Sequence, residues 1–185
     1  MGFYSREELL QIGFKSIGKN VMVSTKASIY SPSLISLGNN VRIDDFCILS
    51  GEISIGNYIH IAAYTALYGG EAGIQVEDFA NISSRICIYA VSDDYSGETM
   101  TSPMVPDKYK NLRHGHVLIK KHVIIGTSST VMPGCTIGEG CALGAYSFIK
   151  ESCPAWGIYV GIPCKRIGER SQKLLELEQK FLNED

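Results

Sequence analysis

From residue 119 onward an aliphatic side chain returns every six residues: Ile119, Ile125, Val131, Ile137, Leu143, Ile149. The same beat runs through Leu37, Ile43, Leu49, Ile55, Ile61 and Leu67, and again through Val76, Ile82 and Ile88. Two positions before most of these stands a smaller or β-branched residue, as at Val41, Cys47, Ile53, Thr65, Ala80, Ser129, Cys135 and Cys141. A period of six matches neither the 3.6 of an amphipathic helix nor the 2 of a strand. It fits a chain coiling around a triangular prism, with a short strand on each face and a corner every six residues. Three hexads make one coil, and coils stack at about 4.8 Å, the usual spacing between strands. Each aliphatic then sits on its counterpart in the next coil, which makes a continuous apolar ladder inside. The expected fold is all-β, a parallel β-helix spanning residues 17–168.

The register assigns other residues too. Gly56, Gly138, Asn39 and Asn57 fall near corners, where the backbone turns tightly. Cys47, Cys135 and Cys141 fall on the small inward position and read as packing residues. Cys87, Cys153 and Cys164 are expected outside it. The first segment, residues 1–16, holds a capping box, Ser5-Arg6-Glu7-Glu8, that opens a short helix through about Phe14. From Glu169 to residue 185, Leu174, Leu175, Leu177 and Phe181 recur at helical spacing among charges. That C-terminal helix is expected to pack on the prism or on a neighbouring subunit. Trp156 is expected to cover the open end of the core.

The beat fails twice. After Leu67 the chain reads YGGEAGIQ before it resumes at Val76. After Ile88 it leaves through YAVSDDYSG and returns near Val117, an inserted loop at about 91–116. Counting coils puts Leu67 under Ile88, so both excursions leave from one corner. Long insertions into compact repeats are usually binding or lid loops. Together the two are expected to frame a cleft.

Composition narrows the function. With 17 basic and 19 acidic residues the formal charge is −2, so no basic field invites nucleic acid. The start, MGFYSREELL, has no basic region followed by an apolar run, and no stretch approaches the roughly 18 apolar residues of a membrane span. Six cysteines without a C-x-x-C pair argue against a zinc or disulfide framework. The expectation is a soluble cytoplasmic protein with reduced thiols, no membrane partner and no metal.

In its hexads, the loop after Ile88 and the ending GIPCKRI, the chain resembles the left-handed β-helix acyltransferases of the galactoside, maltose and nodulation-factor acetyltransferase type. The closing motif is similar to that family's G-x-P-[AC]-[KR]-x-I signature. The resemblance implies a left-handed helix, a homotrimer, and acetyl-CoA as co-substrate in the groove between two prisms. It implies backbone contacts to the pantetheine arm at Thr127 and Ala145, and cations for the CoA phosphates at Lys150, Lys165 and Arg166. It also implies a histidine base five residues past the last aliphatic before the loop. Here that position is Asp93.

The substitution has a chemical consequence. Acyl transfer from a thioester needs a nucleophile that can lose a proton, and a hydroxyl gains greatly from a base of near-neutral pKa, the usual role of histidine. An amine attacks as its free base, and a carboxylate suffices to hold its ammonium form. Asp93 as a catalytic residue and Asp94 beside it as a substrate contact therefore point to an amino acceptor. The expected substrate is an amino sugar, most simply nucleotide-linked, of the kind used in surface-polysaccharide synthesis.

Four histidines remain as alternative bases. His60 points outward between Ile59 and Ile61, on an edge that a trimer would turn toward a neighbour's loop. His114 and His116 close the long loop, and His122 is expected on the surface. Tyr64 and Tyr68 are expected substrate contacts, with Tyr89 and Tyr95 near them. Two other functions stay open: O-acetylation of a sugar hydroxyl driven by His60 or His114, and a non-catalytic β-helix that binds or scaffolds. A carbonic anhydrase on the same helix would need three histidines around a metal between subunits, and this chain lacks the accompanying glutamate and glutamine.

Overall fold

The computed structural model describes residues 2–184. It is a β-solenoid of about 7 turns with one helix at each end, the parallel β-helix expected from the hexads, with the left hand that the family resemblance implies. On one face Leu37, Ile55, Val76, Ile119 and Ile137 stack in register. On the second, Val23, Ile43, Ile61, Ile82, Ile125, Leu143 and Tyr159 do so. The third carries Ile29, Leu49, Leu67, Ile88, Val131 and Ile149. Leu67 does pair with Ile88, and Ile88 pairs directly with Val131 across the whole insertion. Apart from partly buried Ile29 in the first coil, the ladder residues are almost wholly buried, which is the main stabilising term of such a fold.

Small inward residues fill what the aliphatics leave. Cys47, Cys135 and Cys141 are buried, and the Cys47 and Cys141 thiols donate to the carbonyls of Ala62 (3.2 Å) and Pro154 (2.9 Å). Burial pushes the Cys47 thiol up to about 11, so it stays an unreactive thiol. Cys153 corrects the sequence reading. It bridges to Ile137 and is buried, because the last coil is two residues short and Cys153, four residues after Ile149, takes the aliphatic position on the first face.

Corners are built from residues in the left-handed region, a conformation that costs a non-glycine residue roughly 1–2 kcal/mol. One corner stacks Phe46, Tyr64, Arg85, Ser128 and Tyr146, all with φ between 57° and 64°. A second includes Tyr58, Phe79, His122 and Trp156. The cost is offset coil by coil. Amides from Tyr58 onward reach back to the preceding coil, as Tyr64 N–H to Asp45 O (3.1 Å) and Tyr146 N–H to Thr127 O (2.9 Å). Their rings also stack, Tyr58 on Phe79 at 4.9 Å and Phe46 on Tyr64 at 5.0 Å.

Both ends are closed. Ser5 caps α1 (Arg6–Ile12) with the expected box, and Gly13 ends the helix in the left-handed region, one residue short of Phe14. Buried Leu9 lies against the first coil. At the other end Tyr159, not Trp156, extends the ladder, and its hydroxyl donates to Pro154 O (3.1 Å). Trp156 lies instead at a corner, over Gly140.

The C-terminal segment also departs from expectation. Lys165–Glu169 is a strand antiparallel to Gly157–Val160, so helix α2 begins only at Leu174 and runs to Glu184. α2 packs on its own prism. Phe181 meets Tyr58 edge-on at 5.1 Å, and Glu178 pairs with Lys121 and with His122 Nε2 (2.8 Å). His122, expected on the surface, is buried. It occupies a corner with φ 60°, where strand alternation does not apply, and α2 covers it. No helix among the described residues is long and apolar enough to cross a membrane.

Candidate active site

The two breaks in the beat meet at one corner. The first is no loose loop. Ala66–Val76 is one continuous strand that rounds the corner beside Ile48–Ile55, with Gly70 paired to Gly51. The second begins as a ribbon, Val91–Ser92 antiparallel to Arg113–His114. Val91 packs against Gly70, and His116 Nδ1 lies 3.0 Å from Ala72 O, so the root of the long loop is tied to the glycine-rich strand.

Inside the loop the two aspartates diverge. Asp94 is buried and accepts from the Ser96 amide (3.0 Å), the Ser96 hydroxyl (2.8 Å) and the Thr99 hydroxyl (3.0 Å). The Ser96 amide and those hydroxyls, together with Arg113 at 4.0 Å, hold its carboxyl below the ordinary carboxylate range. The Asp94 carboxylate thus pins the loop. Asp93 is half-buried and lines a cleft of about 650 Å³ with Tyr89, Val91, Ser92, Tyr95, Thr130, Met132 and Phe148. Among the described residues no histidine lines this cleft. Burial, and after it the Cys87 thiol, pushes the Tyr89 hydroxyl up to about 12, so it remains a proton donor.

The remaining expected residues fall in three places. Tyr68 stacks on Tyr89 at 5.1 Å and supports the cleft wall without lining it. His114 is exposed on the ribbon opposite Val91, whose strand runs through Ser92 to Asp93. His60 is elsewhere, on the second face. Its Nε2 lies 2.8 Å from Asp44 Oδ2, and Arg42 Nε donates to the other oxygen at 2.7 Å. Burial acts to raise the Asp44 carboxyl, but hydrogen bonds from His60 and Arg42 outweigh it and leave it lowered. Within one chain, then, His60 and Asp93 are not brought together.

Thr127 and Ala145 stack on the corner that also carries Tyr64 and Tyr146. A Cβ on Gly126 would come within 2.4 Å of Ala145 N, so the coils there are in backbone contact. Lys150 and Lys165 both line a cavity of about 330 Å³ at the C-terminal end of the third face, with Cys153, Tyr159, Pro163 and Cys164. Arg166 lies beside them in the chain, with Nη2 3.2 Å from Glu169 Oε1.

Sequence reasoning does not reach Ser84, which lies directly below Thr127. Its hydroxyl is 3.1 Å from Thr127 Oγ1, and Thr127 donates to the Ser84 carbonyl at 2.8 Å. The signal was present: Ile88 under Val131 carries residue 84 under residue 127. No group of three or more His, Cys, Asp or Glu side chains suited to a metal occurs among the described residues.

Residues 116–151 match the family model described as bacterial transferase hexapeptide (six repeats). The dTDP-4-amino-4,6-dideoxy-D-glucose acyltransferase of Escherichia coli is 50% identical over 184 residues, 98% of this chain and 95% of its own length. AntD, an N-acyltransferase from Bacillus cereus, has been solved with dTDP and 3-hydroxybutyryl-CoA. It superposes with a TM-score of 0.97 at 60% identity, over 98% of this chain and 97% of that one. Its S84A variant, with dTDP-4-amino-4,6-dideoxyglucose and coenzyme A, gives 0.98 at 59% over 100% and 99%. The same protein has been solved as D94A and D94N variants with dTDP and coenzyme A. With this repeat, this register and a relative half identical along nearly its whole length, the chain belongs to the hexapeptide-repeat acyltransferase family.

Proposed function

We propose that the protein transfers an acyl group, acetyl in the simplest case, from coenzyme A to the amino group of a dTDP-linked amino sugar. It does so as a cytoplasmic homotrimer, and its product is an N-acylated sugar for surface polysaccharide. The observation that carries this reading is the cleft at the loop root, which presents the carboxylate of Asp93 and no histidine. A hydroxyl acceptor would lack its base there. An amine needs none, since its unprotonated fraction attacks the thioester carbonyl directly. The nitrogen–carbon bond forms, the carbon–sulfur bond then breaks, and coenzyme A leaves as thiolate while the excess proton on nitrogen passes to it or to solvent. Asp93 holds the ammonium form in place, and Asp94 keeps the loop ordered around it.

The likeness to the amino-sugar acyltransferase and to AntD supports this acceptor. The near-complete overlap with AntD also supports reading Ser84 and Asp94 of this chain as counterparts of the positions varied there. Coenzyme A would run up the corner past Thr127 and Ala145, its phosphates meeting Lys150, Lys165 and Arg166. Ser84 and the loop leave opposite ends of strand Cys87–Tyr89, so a site using both would draw the loop from a neighbouring subunit. That favours the trimer.

The test is Asp93→Asn beside Asp94→Asn, assayed with a dTDP-linked 4-amino sugar. Asp93→Asn is expected to lower kcat/KM about tenfold or more, the worth of one charge-assisted contact, with an unchanged fold. An unaltered kcat/KM would remove Asp93 from the site. One observation favours a second reading, O-acylation: His114 lies exposed on the ribbon that leads into Asp93. Loss of activity in His114→Gln but not in Asp93→Asn would select it.

A further inference from the structure

Residues 91–116 leave the prism and return with little to hold them to it. Their ribbon, Val91–Ser92 against Arg113–His114, is only two residue pairs long, and a two-stranded ribbon by itself is marginal in water. At its neck the backbone is tied. Ala90 N–H donates to Tyr68 O (2.9 Å), Gly115 N–H to Ala90 O (2.9 Å) and Gly134 N–H to Gly115 O (3.1 Å). The polar side chains of the segment mostly bond within it. Asp94 holds Ser96, Thr99 and Arg113, Lys110 pairs with Asp107, and Ser92 and Ser102 bond to neighbours in the chain. Among the described residues one side chain of the segment hydrogen-bonds outside it: His116, whose Nδ1 lies 3.0 Å from Ala72 O. The acceptor sits at a particular place. Pairing of Ala66–Val76 to Ile48–Ile55 lapses between Gly70 and Ile74, and Gly73 turns there with φ 82°. A carbonyl oxygen only accepts, so Nδ1 carries the proton, in the neutral ring and in the imidazolium alike.

We propose that His116 is a positioning residue for the acyl transfer: its bond to Ala72 fixes the direction in which the ribbon leaves the prism, and through the ribbon the place of the Asp93 carboxylate. This rests on Asp93 holding the ammonium of the acceptor, and it deepens that reading by naming what aims the carboxylate. The lever is short. His116 follows Gly115 at the neck, Arg113–His114 pair with Val91–Ser92, and Asp93 is the next residue. Val91 bears on Gly70, so the ribbon pivots on the glycine-rich strand at one edge and is clasped to it by His116 at the other. Without the clasp the ribbon is free to swing about the Val91 contact. A displacement of about 1 Å in a positioned group can cost roughly a hundredfold in rate. His116 does not line the cleft and acts on the substrate only through Asp93. Because both protonation states of the ring donate from Nδ1, the clasp does not open as a histidine titrates. That separates this role from that of a general base.

The test is a double-substitution cycle on the assembled protein, assayed with a dTDP-linked 4-amino sugar and acetyl-CoA. His116→Ala and His116→Asn are made in wild type and in Asp93→Asn. In wild type, His116→Ala is expected to lower kcat/KM for the amino sugar about tenfold and to leave KM for acetyl-CoA unchanged. It is also expected to speed hydrogen exchange at the amides of residues 91–92 and 113–114. His116→Asn, which keeps an N–H at similar reach, is expected to restore both rate and exchange. On the Asp93→Asn background His116→Ala is expected to cost about twofold at most, because the group it aims is gone. Losses that multiply in the double variant would overturn the proposal, and so would an unchanged kcat/KM in His116→Ala. An Asn variant as impaired as the Ala variant, with one limb of the pH profile missing, would make the imidazole itself an acid or base and overturn it too. An unaltered kcat/KM in Asp93→Asn, with fast ribbon exchange in His116→Ala, would strike the ammonium role of Asp93 and leave the clasp. Slow exchange there would strike the clasp.

Discussion

Ser84 Oγ lies 3.1 Å from Thr127 Oγ1, and Thr127 spends its only hydroxyl proton on the Ser84 carbonyl at 2.8 Å. The Ser84 proton is therefore directed at Thr127, and its lone pairs are left for the groove. An oxygen so arranged accepts from N–H, which suits an ammonium or amine. Ser84→Ala is expected to raise KM for the amino sugar about tenfold, the worth of one hydrogen bond to a charged group, with coenzyme A binding unchanged. Thr127→Val frees the Ser84 proton and is expected to act in the same direction. Steady-state kinetics on both variants checks this, and an unchanged KM in Ser84→Ala would remove the serine from the acceptor site.

The C-terminal helix is held by charge. Glu178 accepts from His122 and pairs with Lys121, and their pull outweighs burial, leaving its carboxyl below the ordinary value of 4.5. A group with a depressed folded pKa contributes stability that is fully present above its unfolded pKa and is lost as pH falls through the folded one. The helix is therefore expected to stay docked at neutral pH and to loosen only as pH falls below the ordinary carboxylate value. At pH 7, Glu178→Gln is expected to cost about 1–3 kcal/mol by leaving buried partners unsatisfied. Thermal melts at pH 7, with hydrogen exchange in residues 174–184 across the acid range, test both points.

Backbone contact between coils sets a steric limit beside the site. A methyl on Gly126 would come within 2.4 Å of Ala145 N and 2.7 Å of Gly144 C, and neither can yield without parting the coils. Gly126→Ala is expected to cost several kcal/mol, at the large end for single substitutions. It would lower the melting temperature and weaken coenzyme A binding together. A melt indistinguishable from wild type would show that the coils separate freely.

Much of this was legible in the sequence because the repeat is one-dimensional. Once Ile119, Ile125 and Val131 set the beat, the coil pairing followed, including Leu67 beneath Ile88 across the first break. What stayed hidden was what the beat does not govern. His122 reads as a surface residue until α2, far along the chain, covers it. Lys165–Gly168 reads as the end of the β-helix, and Glu169 as the start of the helix, until Gly157–Val160 offers them an antiparallel edge. Asp94 reads as a substrate contact beside catalytic Asp93, while in the fold its neighbours Ser96 and Thr99 hold it inward and Asp93 stands at the cleft. Ser84 was overlooked because a serine at a corner is ordinary, and only its place under Thr127 singles it out.

The central claim is that the acceptor is an amine. The direct measurement is coenzyme A release from acetyl-CoA, followed chromatographically because six cysteines would react with a thiol dye. It is run against dTDP-linked amino sugars beside matched sugars that carry only hydroxyls, across a range of pH. The account predicts turnover with the amino sugars alone, and kcat/KM rising with pH as the ammonium gives up its proton. Turnover of the hydroxyl sugars, with an activity break in the histidine range near 6.5, would contradict it.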